Sequence, residues 1–307
     1  MAEQKNYDVV IIGGGPGGYA AALYCARAEL SAVVLEKLSP GGQMGTTETV
    51  ENYPGFAEGI NGFELGMQMQ QGAERFGVKT ELAEVVKVDL KSSPKVVETE
   101  DGVFYGKTVI LATGASPREL GVPGERDLRG RGVSYCATCD GMFYRGKSVV
   151  IAGGGNTAVA DALFLAKICK RVVLVHRREE LRASKVYMNA LKDTQNIEFV
   201  WNSVVTDILQ ETNVTGVRVR NKKTEEVTVI PCDGIFVAIG NLPNTDLVKD
   251  QITLDEGGYV LADETTQTNI PGVFAIGDMR KKPLRQIVTA VADGAVASKY
   301  AEEFILI

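Results

Sequence analysis

A chain of 307 residues, 45% of them hydrophobic and 23% charged, is long enough for two domains with separate cores. Its net charge of −6 disfavours nonspecific binding to nucleic acid and membrane surfaces, and no stretch approaches the ~18 apolar residues of a spanning helix. We therefore expect a cytoplasmic globular protein with no nucleic-acid partner and no membrane span.

The N-terminal segment predicts a βαβ unit. The first residues, MAEQKN, are polar, which predicts that there is no signal peptide. Residues 9–37 then read VVIIGGGPGGYAAALYCARAELSAVVLEK, which is an apolar strand, a glycine turn, an Ala/Leu-rich helix and a second apolar strand. Continuously apolar strands of this kind are typical of a parallel sheet that is buried on both faces.

The glycine turn of this unit fits a dinucleotide site. Gly13, Gly15 and Gly18 follow the G-x-G-x-x-G pattern between a strand and a helix. They make the tight turn, admit a pyrophosphate to the backbone and let the helix pack close to the strand. Glu36, at the end of the second strand, can accept hydrogen bonds from ribose hydroxyls. The site therefore suits a dinucleotide whose ribose hydroxyls are free.

A cysteine pair follows in residues 134–143, SYCATCDGMF. Zinc is disfavoured because a closed site needs four ligands, and the only histidine is far away in sequence. A disulfide that braces a loop stays open, but C-x-x-C spacing favours a redox couple of Cys136 and Cys139. Asp140 is then the candidate proton donor and acceptor. The other cysteines stand in apolar surroundings and are predicted to be buried, inert thiols: Cys25, Cys169 and Cys232.

The βαβ unit occurs a second time, in residues 149–178, VVIAGGGNTAVADALFLAKICKRVVLVHRR. Gly153 and Gly155 stand 140 positions after Gly13 and Gly15, and Ala158 replaces the third glycine, a change that this turn permits. Two independent dinucleotide sites are therefore predicted.

The second strand of this copy ends on basic residues. His176 takes the position of the ribose-binding carboxylate, and Arg177, Arg178 and Arg182 follow. Arginine forks hold a 2′-phosphate that a carboxylate would repel, so this site suits NADPH. The alternative is a solvated surface turn. His176, the single histidine, is poorly placed for catalytic proton transfer, since it lies where the adenosine phosphate would be.

The position of the cysteine pair, shortly before the second unit, suggests a route for electrons. NADPH donates hydride and does not reduce a disulfide efficiently, whereas a flavin accepts hydride and can reduce a thiol pair. If the first site holds FAD, electrons pass from NADPH through FAD to Cys136 and Cys139.

At this point the chain resembles the bacterial-type, low-molecular-weight thioredoxin reductases over essentially its full length. The segments that carry the resemblance are GGGPGGYAAALYCAR, EKLSPGGQM, TVENYPGF, VILATGASPR, GVSYCATCDG, GGGNTAVADAL, HRREELRASK, IGNLPNT, FAIGDMR and LRQIVTAVADGA. The C-x-x-C-D stretch between two nucleotide units is the most specific of them.

The resemblance implies an α/β fold with two Rossmann-like dinucleotide-binding domains. A discontinuous FAD domain would comprise residues 1–115 and 243–307, with the NADPH domain, 116–242, inserted. The Gly/Pro-rich stretches at 112–125 and 239–245 would connect them and act as hinges, about which the inserted domain swivels. Thioredoxin would be the protein substrate, and a homodimer the assembly.

The resemblance also implies residue roles. Cys139 would face the flavin, Cys136 would attack the disulfide of the protein substrate, and Asp140 would transfer protons. Two departures, Tyr135 and Ile287, leave this chemistry in place. The residues expected to bind FAD are Gly13, Gly15, Pro16, Gly18, Glu36, Lys37, Gly42, Gln43, Asn52, Val85, Ala112, Thr113, Gly114, Gly277, Asp278, Arg285, Gln286 and Ile287. Those expected to bind NADPH are Gly155, Asn156, Thr157, His176, Arg177, Arg178, Arg182, Ile239 and Gly240.

Two rival hypotheses remain at this level. The enzyme could reduce another dithiol protein, glutaredoxin-like or peroxiredoxin-linked, or could prefer NADH. Alternatively, the chain could be a flavin-binding redox sensor that turns over slowly. No metal site is predicted.

Overall fold

A computed structural model describes residues 5–47, 49–192 and 194–307. The chain divides into two compact units, one comprising Met1–Ser116 with Leu242–Ile307, the other Pro117–Asn241. The predicted limits, 1–115, 116–242 and 243–307, lie one residue from these, and the assignment of a cofactor to each unit stays a prediction.

Strands and helices are numbered in chain order. Up to the first connection they are β1 (Lys5–Ile12), α1 (Pro16–Arg27), β2 (Ala32–Glu36), α2 (Gly62–Glu74), β3 (Lys79–Leu82), β4 (Val85–Asp89), β5 (Lys95–Thr99), β6 (Gly102–Leu111) and β7 (Ala115–Pro117). From there to the second connection they are β8 (Val133–Ser134), α3 (Ala137–Asp140), β9 (Ser148–Gly153), α4 (Asn156–Ala166), β10 (Arg171–Val175), α5 (Lys185–Lys192), β11 (Ile197–Val200), β12 (Ser203–Gln210), β13 (Val214–Asn221), β14 (Val227–Pro231), β15 (Gly234–Ala238) and β16 (Asn241–Pro243). The last elements are β17 (Val273–Ala275) and α6 (Ile287–Leu306), and short 3-10 helices cover Gly42–Thr46, Gly141–Tyr144 and Gly277–Met279.

The first unit is built on a seven-stranded sheet in the order β3-β2-β1-β6-β5-β4, with β17 pairing with β6. The pairs β3–β2, β2–β1, β1–β6 and β6–β17 are parallel, whereas β6–β5 and β5–β4 are antiparallel. The parallel part brings the carboxyl ends of β1, β2, β6 and β17 to one edge of the sheet. Ligands of open α/β sheets bind beyond this edge.

Both faces of this sheet are buried, as its continuously apolar strands predict. In β1, Val9 and Ile11 pack with α1 and α6, and Val10 and Ile12 point into the core on the other side. Helix α1 begins at Pro16, a residue suited to the first turn because its missing N–H has no partner there.

Helices α1 and α6 cross at glycines. A Cβ on Gly294 would lie 2.3 Å from the carbonyl oxygen of Gly17, and a Cβ on Gly17 would lie 3.0 Å from that of Ala290. Only residues without a side chain allow this backbone approach. The crossing packs α6 closely against α1.

The second unit repeats the parallel order with different strands. Its five-stranded sheet runs β11-β10-β9-β15-β8, and all four pairs in it are parallel. Strands β12, β13 and β14 form a separate antiparallel sheet, and β7 pairs with β16. The order β3-β2-β1-β6 of the first unit thus corresponds to β11-β10-β9-β15, so the internal repeat extends beyond the two βαβ segments. The α/β fold predicted from sequence is confirmed.

In the part of the chain that the structure describes, no helix is both long and apolar enough to cross a lipid bilayer.

Candidate functional site

The first glycine turn has the geometry of a phosphate site. Gly13 has φ +110°, and a Cβ there would lie 2.4 Å from the carbonyl oxygen of Ala112. A Cβ on Gly18 would lie 2.0 Å from the oxygen of Gly13, whereas Gly15, the N-cap of α1, has nothing within 4 Å of its Cβ position. Two glycines therefore close the turn, and the third leaves the helix N-terminus open to an anion.

The carboxylate of Glu36 is fixed beside this turn by backbone amides. Its Oε2 accepts a hydrogen bond from Gly14 N at 2.7 Å, and its Oε1 accepts one from Leu38 N at 3.0 Å. The amide of Ala83 donates to the carbonyl of Glu36 at 2.9 Å, which brings Val85, the first residue of β4, near the end of β2. Lys37 forms an exposed ion pair with Glu84.

Residues far apart in sequence meet in this unit. Asn52 Nδ2 donates to Gln286 Oε1 at 3.0 Å, across 234 positions. Gly42 has φ +56°, and its Cβ position is 3.4 Å from Gly15 Cα, which places the 3-10 helix containing Gln43 at the phosphate turn. The structure thereby brings together segments that the resemblance assigns to FAD.

Two other predicted segments are fixed by local contacts. The hydroxyl of Thr113 donates to the carbonyl of Asn244 at 2.6 Å, and Asn244 N donates to the carbonyl of Gly114 at 3.0 Å. The guanidinium of Arg285 lies 4.0 Å from the centroid of the Tyr259 ring, and Ile287 is the first residue of α6. These contacts fix the backbone there, and which of these residues touch a cofactor stays a prediction.

Asp278 offers an unused acceptor. Its Oδ1 is buried and has no hydrogen-bond partner within the described ranges. Burial raises the pKa of Asp278, and the positive charges of Arg285 and Lys282 oppose that rise. A buried acceptor without a donor is costly, so it fits a ligand that supplies a hydroxyl. The open phosphate turn and this oxygen together fit a dinucleotide with a sugar-like chain, as FAD has.

The second glycine turn resembles the first in geometry. Gly155, the N-cap of α4, has nothing within 4 Å of its Cβ position, while a Cβ on Gly153 would lie 2.5 Å from the carbonyl oxygen of Ala238. Asn156 Oδ1 accepts a hydrogen bond from Ser184 N at 2.8 Å, and Thr157 is exposed. This turn is likewise closed on one side and open at the helix N-terminus.

His176 lies beneath this turn and not on its surface. The ring is 6% exposed, and a Cβ on Gly154 would lie 2.1 Å from its Nδ1. It packs edge-on to Trp201 with the ring centroids 6.4 Å apart. Burial lowers the pKa of His176; hydrogen bonds to the backbone of Gly153 and Glu180 oppose this, and the charges of Arg177 and Arg178 add to the lowering. The ring is therefore neutral near pH 7. Its contact with NADPH stays a prediction.

The three arginines of the predicted phosphate site are exposed. Arg182 N donates to the carbonyl of Gly154 at 2.7 Å, which ties the loop to the turn. Arg178 and Arg182 line an open pocket of about 390 Å³. Among the residues that the structure describes, no carboxylate forms an ion pair with these arginines, and the neighbouring Glu179 pairs with Lys223. The remaining predicted residues, Ile239 and Gly240, are exposed, and Gly240 has φ +103°.

The cysteine pair forms a disulfide between Cys136 and Cys139. Cys136 is the N-cap of α3, and Asp140 ends that helix with its backbone N donating to Cys136 O at 3.1 Å. Burial raises the pKa of the Asp140 carboxyl, opposed by a hydrogen bond from Ser134 and by the charge of Arg129. An acid with a raised pKa next to a disulfide can supply or take up a proton nearer neutral pH.

Two neighbours of the disulfide have contacts that the sequence did not predict. Ser134 Oγ donates to Asp140 Oδ2 at 2.6 Å and accepts from Cys136 N at 3.1 Å. Tyr135 donates its hydroxyl to the buried carboxylate of Glu125 at 2.9 Å. In the sequence, Tyr135 stands out only as a departure from the family pattern, and Ser134 has no signal beyond its place two residues before Cys136. Met142 and Phe143, which follow the pair, are 43% and 45% exposed.

Within residues 5–47, 49–192 and 194–307, no group of three or more His, Cys, Asp or Glu side chains could hold a metal ion.

Comparisons with known proteins agree on one family. The family model described as pyridine nucleotide-disulphide oxidoreductase matches residues 7–294. The chain is 44% identical to a thioredoxin reductase of Peptoclostridium acidaminophilum over 308 residues, covering 98% of both chains. It is 45% identical to a bifunctional thioredoxin reductase/thioredoxin of Mycobacterium leprae, covering 99% of this chain and 67% of that protein. The crystal structure of thioredoxin reductase from Streptococcus pyogenes superimposes with a TM-score of 0.92 at 44% identity, covering 99% of both chains.

Proposed function

Because the chain belongs to the pyridine nucleotide-disulphide oxidoreductase family, we propose that it is an NADPH-dependent, FAD-containing thioredoxin reductase. The observation that carries this function is the disulfide between Cys136 and Cys139, with Asp140 beside it, in a chain that has two open dinucleotide turns. The relatives named above are thioredoxin reductases, and their sequence similarity covers nearly the whole of this chain.

We propose that the first unit holds FAD. The open N-terminus of α1 at Gly15 receives the pyrophosphate, Glu36 faces a ribose, and the free Oδ1 of Asp278 accepts from a hydroxyl of the ribityl chain. When bound there, FAD would supply two-electron transfer between NADPH and the Cys136–Cys139 disulfide.

The disulfide then does the chemistry on the protein substrate. Two electrons and two protons convert Cys136–Cys139 to two thiols. The thiolate of Cys136 attacks the thioredoxin disulfide, forms a mixed disulfide and releases one thioredoxin thiolate. Cys139 attacks the sulfur of Cys136, so the internal disulfide forms again and the second thioredoxin thiolate leaves.

Asp140 is suited to donate and accept the protons in these steps. Its half-buried carboxyl lies one residue from Cys139, and burial raises its pKa. We propose that it donates a proton to the departing thiolate and takes one up in the opposite direction.

We propose the second unit as the NADPH site. The exposed Arg177, Arg178 and Arg182 have no described carboxylate as a partner, so they are free to hold the 2′-phosphate. We also propose a homodimer in the cytoplasm. A reducing compartment suits Cys25, Cys169 and Cys232, which are buried free thiols.

Thioredoxin-coupled oxidation of NADPH tests the function. The purified protein should be yellow, NADPH should bleach its flavin absorbance without oxygen, and turnover should require thioredoxin. Cys136→Ser and Cys139→Ser should each lower turnover to background while NADPH still bleaches the flavin. Full turnover by Cys139→Ser would contradict the route.

Substrate and donor panels separate the alternatives. A glutaredoxin-like or peroxiredoxin-linked protein that is reduced faster than thioredoxin would replace thioredoxin as the substrate. A higher kcat/KM for NADH than for NADPH would contradict NADPH as the electron donor.

A further inference from the structure

Asp293, in the second turn of α6, is a buried charge that accepts four hydrogen bonds. Arg280 forms a bidentate ion pair with this carboxylate: Nε donates to Oδ2 and Nη2 donates to Oδ1, both at 2.8 Å. Lys282 Nζ donates to Oδ2 at 2.7 Å, and Gly277 N donates to the same oxygen at 2.9 Å. All three charged side chains are at most 8% exposed. We call Asp293, Arg280, Lys282 and Gly277 the Asp293 cluster.

The cluster keeps its charge inside the protein. Burial alone would raise the pKa of Asp293, but hydrogen bonds from Arg280 and Lys282 outweigh it and hold that pKa below its ordinary value. A buried carboxylate with a forked arginine and an ammonium group has its lone pairs satisfied. Asp293 is therefore a fixed anion to which residues at both ends of the loop 277–282 are hydrogen-bonded.

This loop also carries the unpartnered acceptor of the site. Gly277 has φ +68°, which favours glycine, and its amide is bonded to Asp293. Asp278 follows directly, and its Oδ1 is the buried oxygen without a described partner. Beyond it, Arg280 Nη1 donates to Asp263 O at 3.3 Å and Lys282 Nζ donates to Thr289 O at 3.2 Å. The direction of the Asp278 side chain thus depends on a turn that Asp293 holds from behind.

We propose that Asp293 is a positioning residue for the flavin, acting through Gly277 and Asp278 and not by contact with the cofactor. The inference rests on the proposed FAD site. By holding the Gly277 amide, Asp293 keeps Oδ1 of Asp278 aimed at the site before the cofactor arrives, so little ordering is left to binding.

The test compares FAD affinity of Asp293→Asn, Asp278→Ala and the double variant, measured by the fluorescence change when FAD is titrated into apoprotein. Asp293→Asn should weaken FAD binding about tenfold or more, because bonds to a charged acceptor are lost. If Asp293 acts through Asp278, the double variant should bind FAD no more weakly than Asp278→Ala. The matched control is Asp207→Asn, which breaks an arginine–carboxylate pair with Arg218 in the other unit and should leave FAD affinity unchanged.

Melting temperatures separate positioning from a general loss of stability. If Asp293 positions the FAD site, the increase in Tm on FAD binding should be smaller in Asp293→Asn than in the parent. If its role is purely structural, the substitution should lower the Tm of the apoprotein and of the FAD-bound protein equally. If Asp293→Asn does not fold, Asp293→Glu, which keeps the charge but moves the oxygen that the Gly277 amide contacts, should weaken FAD binding and add nothing to the loss in Asp278→Ala.

The inference is overturned if Asp293→Asn, or Asp293→Glu in its place, binds FAD as tightly as the parent, or if the substitution at Asp293 and Asp278→Ala weaken binding additively. A parent protein that binds no FAD at all would instead overturn the proposed function, and that result is obtained before any variant is made.

Discussion

Ser134 joins the backbone of the redox pair to the acid next to it. It receives the amide hydrogen of Cys136 and gives its own hydroxyl hydrogen to Asp140. A donor to the ionised form of a carboxyl lowers its pKa, so this hydroxyl offsets part of the rise that burial causes in Asp140. The protonation of Asp140 therefore depends on the hydroxyl of a side chain that is itself buried.

Replacing Ser134 with alanine should raise the pKa of Asp140 further, because the ionised form loses its donor. The pH profile of kcat in the thioredoxin assay should shift upward on the limb that reports Asp140. Ser203→Ala, which removes another buried serine hydroxyl from the same unit, is the control. An unchanged profile in Ser134→Ala would mean that Asp140 does not set that limb.

A second acid, Asp161 on α4, predicts a pH dependence of stability. Burial raises its pKa to about 7, and no described side chain forms a hydrogen bond or ion pair with it. Below pH about 3 the carboxyl is protonated in both the folded and the unfolded chain, so burial has no charge penalty. As pH rises towards 7 the unfolded chain ionises first, and stability falls by up to roughly 4 kcal/mol.

Asp161→Asn should therefore stabilise the protein above pH 7 and change it little in acid. Thermal melts of the parent and variant at pH 5 and pH 8 measure this, and the gain in Tm should be larger at pH 8. An equal gain at both pH values would show that Asp161 is not held neutral in the fold.

At the scale of elements, the two glycine turns could be predicted because their chemistry is local. A strand, a glycine turn and a helix lie next to one another in the chain, and parallel burial makes both strands uniformly apolar. The antiparallel strands β12, β13 and β14 could not be predicted in the same way. They pair as consecutive hairpins, but β14 leaves Val227 and Val229 half exposed, so its apolar pattern does not mark a core strand.

The loop after β10 shows the limit of a pattern within one element. The run from His176 to Arg182 predicts a set of phosphate contacts; the structure leaves the three arginines exposed and puts the histidine ring under Gly154, and the contacts themselves stay a prediction. Sequence position indicates which strand end a residue occupies. Which way its side chain turns depends on the space left by another segment, here a glycine without a Cβ.

The exposed arginines of this loop give the element-scale prediction. Arg177→Ala/Arg178→Ala should raise KM for NADPH by about tenfold or more and leave KM for NADH within about twofold, because only the 2′-phosphate loses its partners. The control is Arg171→Ala at the start of β10, where the side chain pairs with Glu198 and not with the loop. A parallel rise in both KM values would place these arginines outside phosphate recognition.

At the scale of the whole molecule, the function depends on a second protein reaching the disulfide. Met142 and Phe143 stand exposed on the 3-10 helix that follows the pair. Exposed large apolar side chains beside a reactive bond are suited to a partner surface, since burying the exposed part of each favours binding by about 1 kcal/mol.

Phe143→Ala should lower kcat/KM for thioredoxin by about fivefold or more and leave bleaching of the flavin by NADPH unchanged. Val229→Ala, which trims another exposed apolar side chain of the same unit, should change neither measurement. If Phe143→Ala turns over thioredoxin like the parent, the partner does not use this side chain.

The glycine crossing of α1 and α6 has a consequence for how the protein is made. The inserted unit is one uninterrupted stretch, Pro117–Asn241, so it can mature as soon as it leaves the ribosome. The unit around it cannot, because β17 and α6 are translated only after the inserted unit, and α1 has an apolar side that they cover. That apolar side therefore stays exposed to solvent while the inserted unit is being made.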